Sequence, residues 1–258
     1  MTGVPMEHPD ERKVMLVDVV VFDGVDELDV IGPLEVLRRA QALGADMQSR
    51  LCSEGRRDLV AGAFGVCFRP DAAFAPGEAG VVVVPGGGWV TRARAGAWAE
   101  VERGAWPKLL ADAAESGSVM AGVCTGALLL AHAGVIGSHR ATTHHDAQVD
   151  LGQLGATVVQ RRVVDEGEVV TSGGVTSGID LALWLVTRYF GEGLAGVVAE
   201  GLEYSWEPPP GSATFPASSP AAEGMPRVDR EMSRDQDAAG SWSNFSERRA
   251  ASFDRTCS

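Results

Sequence analysis

Val119 to Val123 is a short apolar run that stops on Cys124, and Thr125-Gly126-Ala127-Leu128-Leu129-Leu130-Ala131-His132 resumes at once with a helical pattern. A strand that passes to a helix across so few residues needs a tight turn. Gly122 and Gly126, two positions either side of Cys124, are the small residues such a turn tolerates, and the spacing Gly-x-Cys-x-Gly matches that of a serine nucleophile elbow. A thiol at the apex faces the helix N-terminus, whose free N–H groups and dipole favour thiolate and lower the cysteine pKa. Cys124 is therefore the candidate nucleophile. Free cysteines are also commonly small buried hydrophobes, and Cys52 and Cys67, in strand-like stretches, and Cys257, in a polar segment, lack this setting.

The rest of the chain alternates strand and helix patterns. Val14–Phe22 reads as a first buried strand, and Gly32-Pro33 as the opening of a helix that runs to about Leu43, with Pro33 in its first turn. Met47–Ser53 reads as a second strand and Asp58–Ala73 as a hairpin-like region. Val81–Val84 is a continuous apolar run, typical of a strand covered on both faces, and ends in Pro85-Gly86-Gly87-Gly88. Trp106–Gly117 reads as a helix, Ala141–His144 as a short strand, and Thr157–Val164 with Glu168–Thr171 as a hairpin about Asp165-Glu166-Gly167. Helices over Val175–Phe190 and Leu194–Tyr204 complete an α/β fold with a doubly wound, mostly parallel sheet and helices on both faces. Ligands collect outside the C-terminal ends of parallel strands, so the loops carrying Asp29, Gly86-Gly87 and Cys124 are expected to meet.

Composition narrows the function classes. With 258 residues and 45% apolar content the chain can bury a substantial core. Four scattered cysteines without metal-type spacing fit a reducing compartment, and neither a signal-peptide core nor a membrane-length apolar run is present, so a cytoplasmic protein is expected. A net charge of −13 opposes nucleic-acid binding. Residues 1–13 read as a flexible N-terminus, 14–216 as the folded domain, and 217–258, rich in polar residues, as a flexible tail.

Five motifs occur in order: Leu28-Asp29-Val30-Ile31-Gly32-Pro33, Val84-Pro85-Gly86-Gly87, Val123-Cys124-Thr125-Gly126-Ala127, Ala141-Thr142-Thr143-His144 and Thr171 to Asp180. Together they resemble the DJ-1/PfpI superfamily (class I glutamine amidotransferase-like), and within it most resemble the isocyanide (isonitrile) hydratases. The resemblance covers about Val14 to Pro216. It implies a flavodoxin-like fold, a homodimer, Cys124 as nucleophile, Asp29 as its acidic partner, Thr125 after the nucleophile, and His144 near the cysteine. The implied activity is hydration of a small-molecule isocyanide to an N-substituted formamide through a Cys124 thioimidate, without a cofactor.

The residues themselves leave alternatives open. Asp29, beside a thiol and partly buried, should have a raised pKa and hold a transferable proton, yet it also fits a carboxylate that satisfies backbone donors before a helix. The Gly87 N–H and the Thr125 N–H are candidate donors to developing charge, and the glycine run fits a simple strand-ending turn equally well. His144 lines a pocket or caps one. Metal binding by His144, His145 and Asp146 is disfavoured because adjacent residues on a strand point to opposite faces. Thr176 or Ser177 is expected to cap the last long helix but one. Trp89, Trp184 and Leu128 fit either core or pocket.

Other functions compete. No His-Pro-Glu signature follows the elbow, as a glutamine amidotransferase would require. Thr125 and Asp29 depart from the histidine and glutamate common in peptidase and glyoxalase-type members. The segment after Pro216 is too short and polar for a helix-turn-helix unit. A cysteine-based redox sensor or regulatory module without turnover is the alternative from another class.

Overall fold

Valine-rich segments build the centre of the sheet. The computed structural model describes residues 14–209. The expected N-terminus 1–13, the end of the expected domain and the tail 217–258 lie outside the described residues. The strands are β1 (Met15–Val21), β2 (Met47–Ser53), β3 (Val60–Ala61), β4 (Cys67–Phe68), β5 (Ala72–Ala73), β6 (Val81–Val84), β7 (Val119–Val123), β8 (Arg140–Ala141), β9 (Thr157–Val158), β10 (Val163–Asp165) and β11 (Val169–Ser172). The helices are α1 (Glu27–Ala42), α2 (Ala97–Arg103), α3 (Ala105–Glu115), α4 (Gly126–His132), α5 (Gln148–Gln153), α6 (Ser177–Phe190) and α7 (Glu192–Gly201).

Seven strands form the main sheet in the order β10-β11-β7-β6-β1-β2-β5. Every pairing in it is parallel except β10 with β11. The four valines of β6 are buried, as a strand between two helical layers requires. α1, α6 and α7 pack on one another, and α2, α3 and α4 pack on one another, which gives the two layers. Trp106 of α3 closes one core region against Phe22 and Phe74, with ring centroids 6.3 and 5.5 Å away. β11, β7, β6 and β1 are neighbours, so the loops that follow their C-terminal ends converge.

Several sequence expectations are corrected. α1 begins at Glu27, so Pro33 lies inside the helix and Asp29 in its first turn. The start signal is Asp26, whose side chain accepts from the Leu28 N–H at 3.1 Å. Pro33 is accommodated because Gly178 of α6 leaves room for it: a Cβ at Gly178 would lie 3.1 Å from the proline ring. The hairpin region divides, since β3 and β4 pair antiparallel while β5 joins the edge of the main sheet. Thr157–Val164 divides likewise, with β9 pairing to β8 and β10 to β11. No start signal in the sequence marks α2, whose N-cap is Gly96 and makes no side-chain capping bond. Thr176 precedes α6 but its side chain makes no capping bond.

Asp18 is buried in the middle of β1, opposite Arg50 in the β1–β2 register. The guanidinium donates through Nε and Nη2 to the two carboxylate oxygens at 2.8 and 3.0 Å. Arg50→Ala would leave that carboxylate buried and unpaired, and is expected to lower the unfolding free energy by roughly 3–5 kcal/mol. Urea denaturation checks this against Arg38→Ala, which removes a half-exposed pair with Asp71 and should cost less than about 1 kcal/mol.

Candidate active site

Cys124 follows β7 with φ +54°, a left-handed conformation that costs a non-glycine residue of order 1–3 kcal/mol. Hydrogen bonds on both sides hold it there. Its N–H donates to the Ser172 and Gly173 carbonyls at 3.2 and 3.0 Å, and its carbonyl accepts from the Thr143 hydroxyl at 2.7 Å. The flanking glycines matter through space. A Cβ at Gly126 would run into the Val84 carbonyl, and one at Gly122 would sit 3.0 Å from the Ala127 nitrogen. The Gly-x-Cys-x-Gly spacing thus marks the place where the ends of β6 and β7 press on the start of α4.

Asp29 reaches the same point from α1. Its side chain is fully buried, Oδ2 accepts from the Gly86 N–H at 2.9 Å, and Oδ1 has no hydrogen-bond partner. Gly86 must be glycine for this, since a Cβ would strike the Thr125 hydroxyl and backbone nitrogen. Burial is the main cause that pushes the Asp29 carboxyl up to about 8, opposed by the Gly86 N–H, helped by the charge of Asp26 and opposed again by the adjacent Cys124 thiol. Asp29 therefore holds a proton at neutral pH, as the sequence suggested.

The thiol does not follow the expectation of a lowered pKa. Cys124 is 5% exposed, and burial, then the charge of Asp29, push its pKa up, against the pull of the Val175 and Thr125 backbone N–H groups. The helix terminus does supply a donor, but two donors do not offset removal from water. In the resting site the thiol and the carboxyl both keep their protons. A neutral carboxyl and a neutral thiol thus lie beside each other, both removed from water.

Thr125 and Gly87 are joined to each other: the Gly87 N–H donates to Thr125 Oγ1 at 2.9 Å. The Gly87 donor expected to face developing charge is engaged by this hydroxyl oxygen. His144 is partly buried and packs against Gly174, in the loop that also binds the Cys124 N–H. It is not on a strand. His144 precedes a 3-10 turn over His145–Ala147, its Nδ1 accepts from the Asp146 N–H at 3.3 Å, and the two imidazoles lie 4.2 Å apart. The opposite-faces argument against a metal is thereby corrected, because His144, His145 and Asp146 bring their ligand atoms within 4.8 Å of one another. Trp89, Trp184 and Leu128 are all core residues.

Three contributors escaped the sequence reading. Gly86 and Thr143 stood inside recognised motifs, but nothing in their type shows that one holds Asp29 and the other the elbow carbonyl. Val175 has φ +46°, rare for a β-branched residue, and turns its N–H toward the thiol. No sequence signal marks a valine for that conformation.

The raised Asp29 pKa links stability to pH. Its folded value of about 8 exceeds its ordinary 3.8, so the folded state binds the extra proton between those values. The stability this proton contributes is complete below about pH 4 and is lost as pH rises to about 8. Relative to Asp29→Asn, which does not titrate, the wild type should lose unfolding free energy through that window and level off above it, as denaturation at a series of pH values would show.

Residues 15–188 match the DJ-1/PfpI family. The chain is 34% identical to isonitrile hydratase from Pseudomonas putida over 206 residues, 79% of this chain and 84% of that protein. It is 26% identical to DJ-1alpha of Drosophila melanogaster over 74% of this chain and 84% of that one. A ThiJ/PfpI family protein from Pseudomonas syringae superposes with a TM-score of 0.67 at 24% identity, over 82% of this chain and 86% of its own. The chain belongs to the DJ-1/PfpI family.

Proposed function

We propose that this protein hydrates isocyanides to N-substituted formamides. The observation that carries the reading is the protonated Asp29 carboxyl, fixed by the Gly86 N–H, beside the Cys124 thiol. The isonitrile hydratase relative supports it.

An isocyanide carbon bears a lone pair and also accepts a nucleophile. Asp29 gives its proton to that carbon, and the cation so formed is attacked by Cys124 sulfur while the thiol proton passes to the Asp29 carboxylate. The product is a thioimidate, and Asp29 is again protonated. Water then adds across the C=N bond, its oxygen to carbon and a proton to nitrogen, with the Asp29 carboxyl relaying the proton. Collapse of the tetrahedral adduct breaks the C–S bond, returns the proton to sulfur and releases the formamide. Thr125, its hydroxyl oxygen held by the Gly87 N–H, directs the O–H proton and its backbone N–H toward the reacting group. His144 lines the substrate side. No cofactor is needed for this chemistry.

Among the described residues no helix is long and apolar enough to cross a membrane. The reading includes a homodimer, supported by the exposed Leu28 and Ile31 on α1, next to a loop carrying exposed Phe64 and Val66. Glu27 accepts from the Phe64 and Val66 N–H groups and holds that loop against α1.

Purified protein given cyclohexyl isocyanide should release the formamide. Cys124→Ala and Asp29→Asn should each lower the rate by about a hundredfold or more, and wild-type kcat/KM should fall above about pH 8 as Asp29 loses its proton. Folded wild type that turns over none of several isocyanides would sink the reading. A redox sensor would then be tested by peroxide and mass spectrometry, although the buried, protonated Cys124 thiol disfavours oxidation. Ile31→Glu should shift the mass measured by light scattering from dimer to monomer.

A further inference from the structure

The C-terminal ends of β1 and β2, with α2 and the loop before it, enclose a cleft of about 600 Å³ that contains no residue of the Cys124 elbow. Openings of this size at strand ends are where doubly wound folds place small ligands. Val21, Phe22, Ala95, Ala99 and Trp106 supply the apolar part of its lining. Its walls carry three arginines and three carboxylates, so its formal charge is zero.

The charges do not pair evenly. Arg57 closes on both oxygens of Asp23, at 2.7 and 3.2 Å. Arg103 bridges Glu54 and Glu100, so one guanidinium serves two carboxylates. Both of its bonds to Glu100 fall on Oε2. Arg94 has no carboxylate within ion-pair distance among the described residues. One cation and one carboxylate are therefore in surplus on the walls of one cleft. Glu100 is only 8% exposed, so its charge is poorly served by water, and burial raises its pKa despite Arg103. A positive group brought to Glu100 would relieve that deficit.

We propose that this cleft binds a small zwitterion of the α-amino acid class, its carboxylate on the Arg94 guanidinium and its ammonium against Glu100 and Glu54. Arginine matches a carboxylate through paired N–H donors, and the apolar part of the lining accepts the side chain. This site is independent of the isocyanide reading.

Isothermal titration of the full chain with each of the standard L-α-amino acids tests it, with acetate and methylammonium as single-charge controls. At least one amino acid should bind saturably, at least about tenfold more tightly than either control. Arg94→Gln should weaken that binding at least about tenfold, Glu100→Gln likewise, and Cys124→Ala should leave it unchanged. Arg94 is exposed, so its variant keeps the fold even if Glu100→Gln does not. The proposal is overturned if no amino acid binds up to about 10 mM, if acetate binds as well as the amino acid, if Arg94→Gln has no effect, or if Cys124→Ala abolishes binding.

Discussion

The site depends on the close backbone approach between the end of β6 and the start of α4. Gly126 lies against the Val84 carbonyl and Gly86 against the Thr125 nitrogen, with no room for a Cβ at either. Everything chemical is hung on this contact. It turns Cys124 into its left-handed conformation, leaves the Gly86 N–H free to hold Asp29, and lets the Gly87 N–H take the Thr125 hydroxyl. A side chain inserted here would push the start of α4 away from the end of β6, so the tolerance for substitution is set by geometry and not by chemistry.

Close packing also decides the protonation of the site. A helix N-terminus acting on an open cysteine would favour thiolate. Here the same packing that aims the donors excludes water, and burial outweighs the Thr125 and Val175 N–H groups. Asp29 responds the same way: burial raises its pKa, helped by the charge of Asp26, and outweighs the Gly86 N–H and the Cys124 thiol. In the hydration proposed above, this pair would add a proton and a sulfur to the same carbon and regain its starting state when the carboxyl relays the thiol proton.

Much of the frame was legible in the sequence. An uninterrupted valine run identifies β6, because a strand covered on both faces has no polar side, a Val- and Leu-rich stretch broken only by Asp18 identifies β1, and the Gly-x-Cys-x-Gly spacing locates the elbow. Boundaries were less legible. Pro33 looked like a helix start because proline favours the first turn, and only the glycine at position 178 of another helix explains its place inside α1. α2 gave no sign because its cap is a glycine. His144 and His145 looked like strand neighbours, whereas a 3-10 turn stacks their rings.

By itself the sequence determined which residue types stand at the site and that strand-end loops would bring Asp29, the glycine run and Cys124 together, because hydrophobic period and glycine spacing are local properties of the chain. The tertiary structure decided the rest: that the Gly86 N–H holds Asp29 while the Gly87 N–H is taken up by Thr125, that Thr143 and Val175 support the elbow, and that the Cys124 pKa rises. Those outcomes depend on burial and on bonds between residues far apart in the chain, which no local pattern encodes.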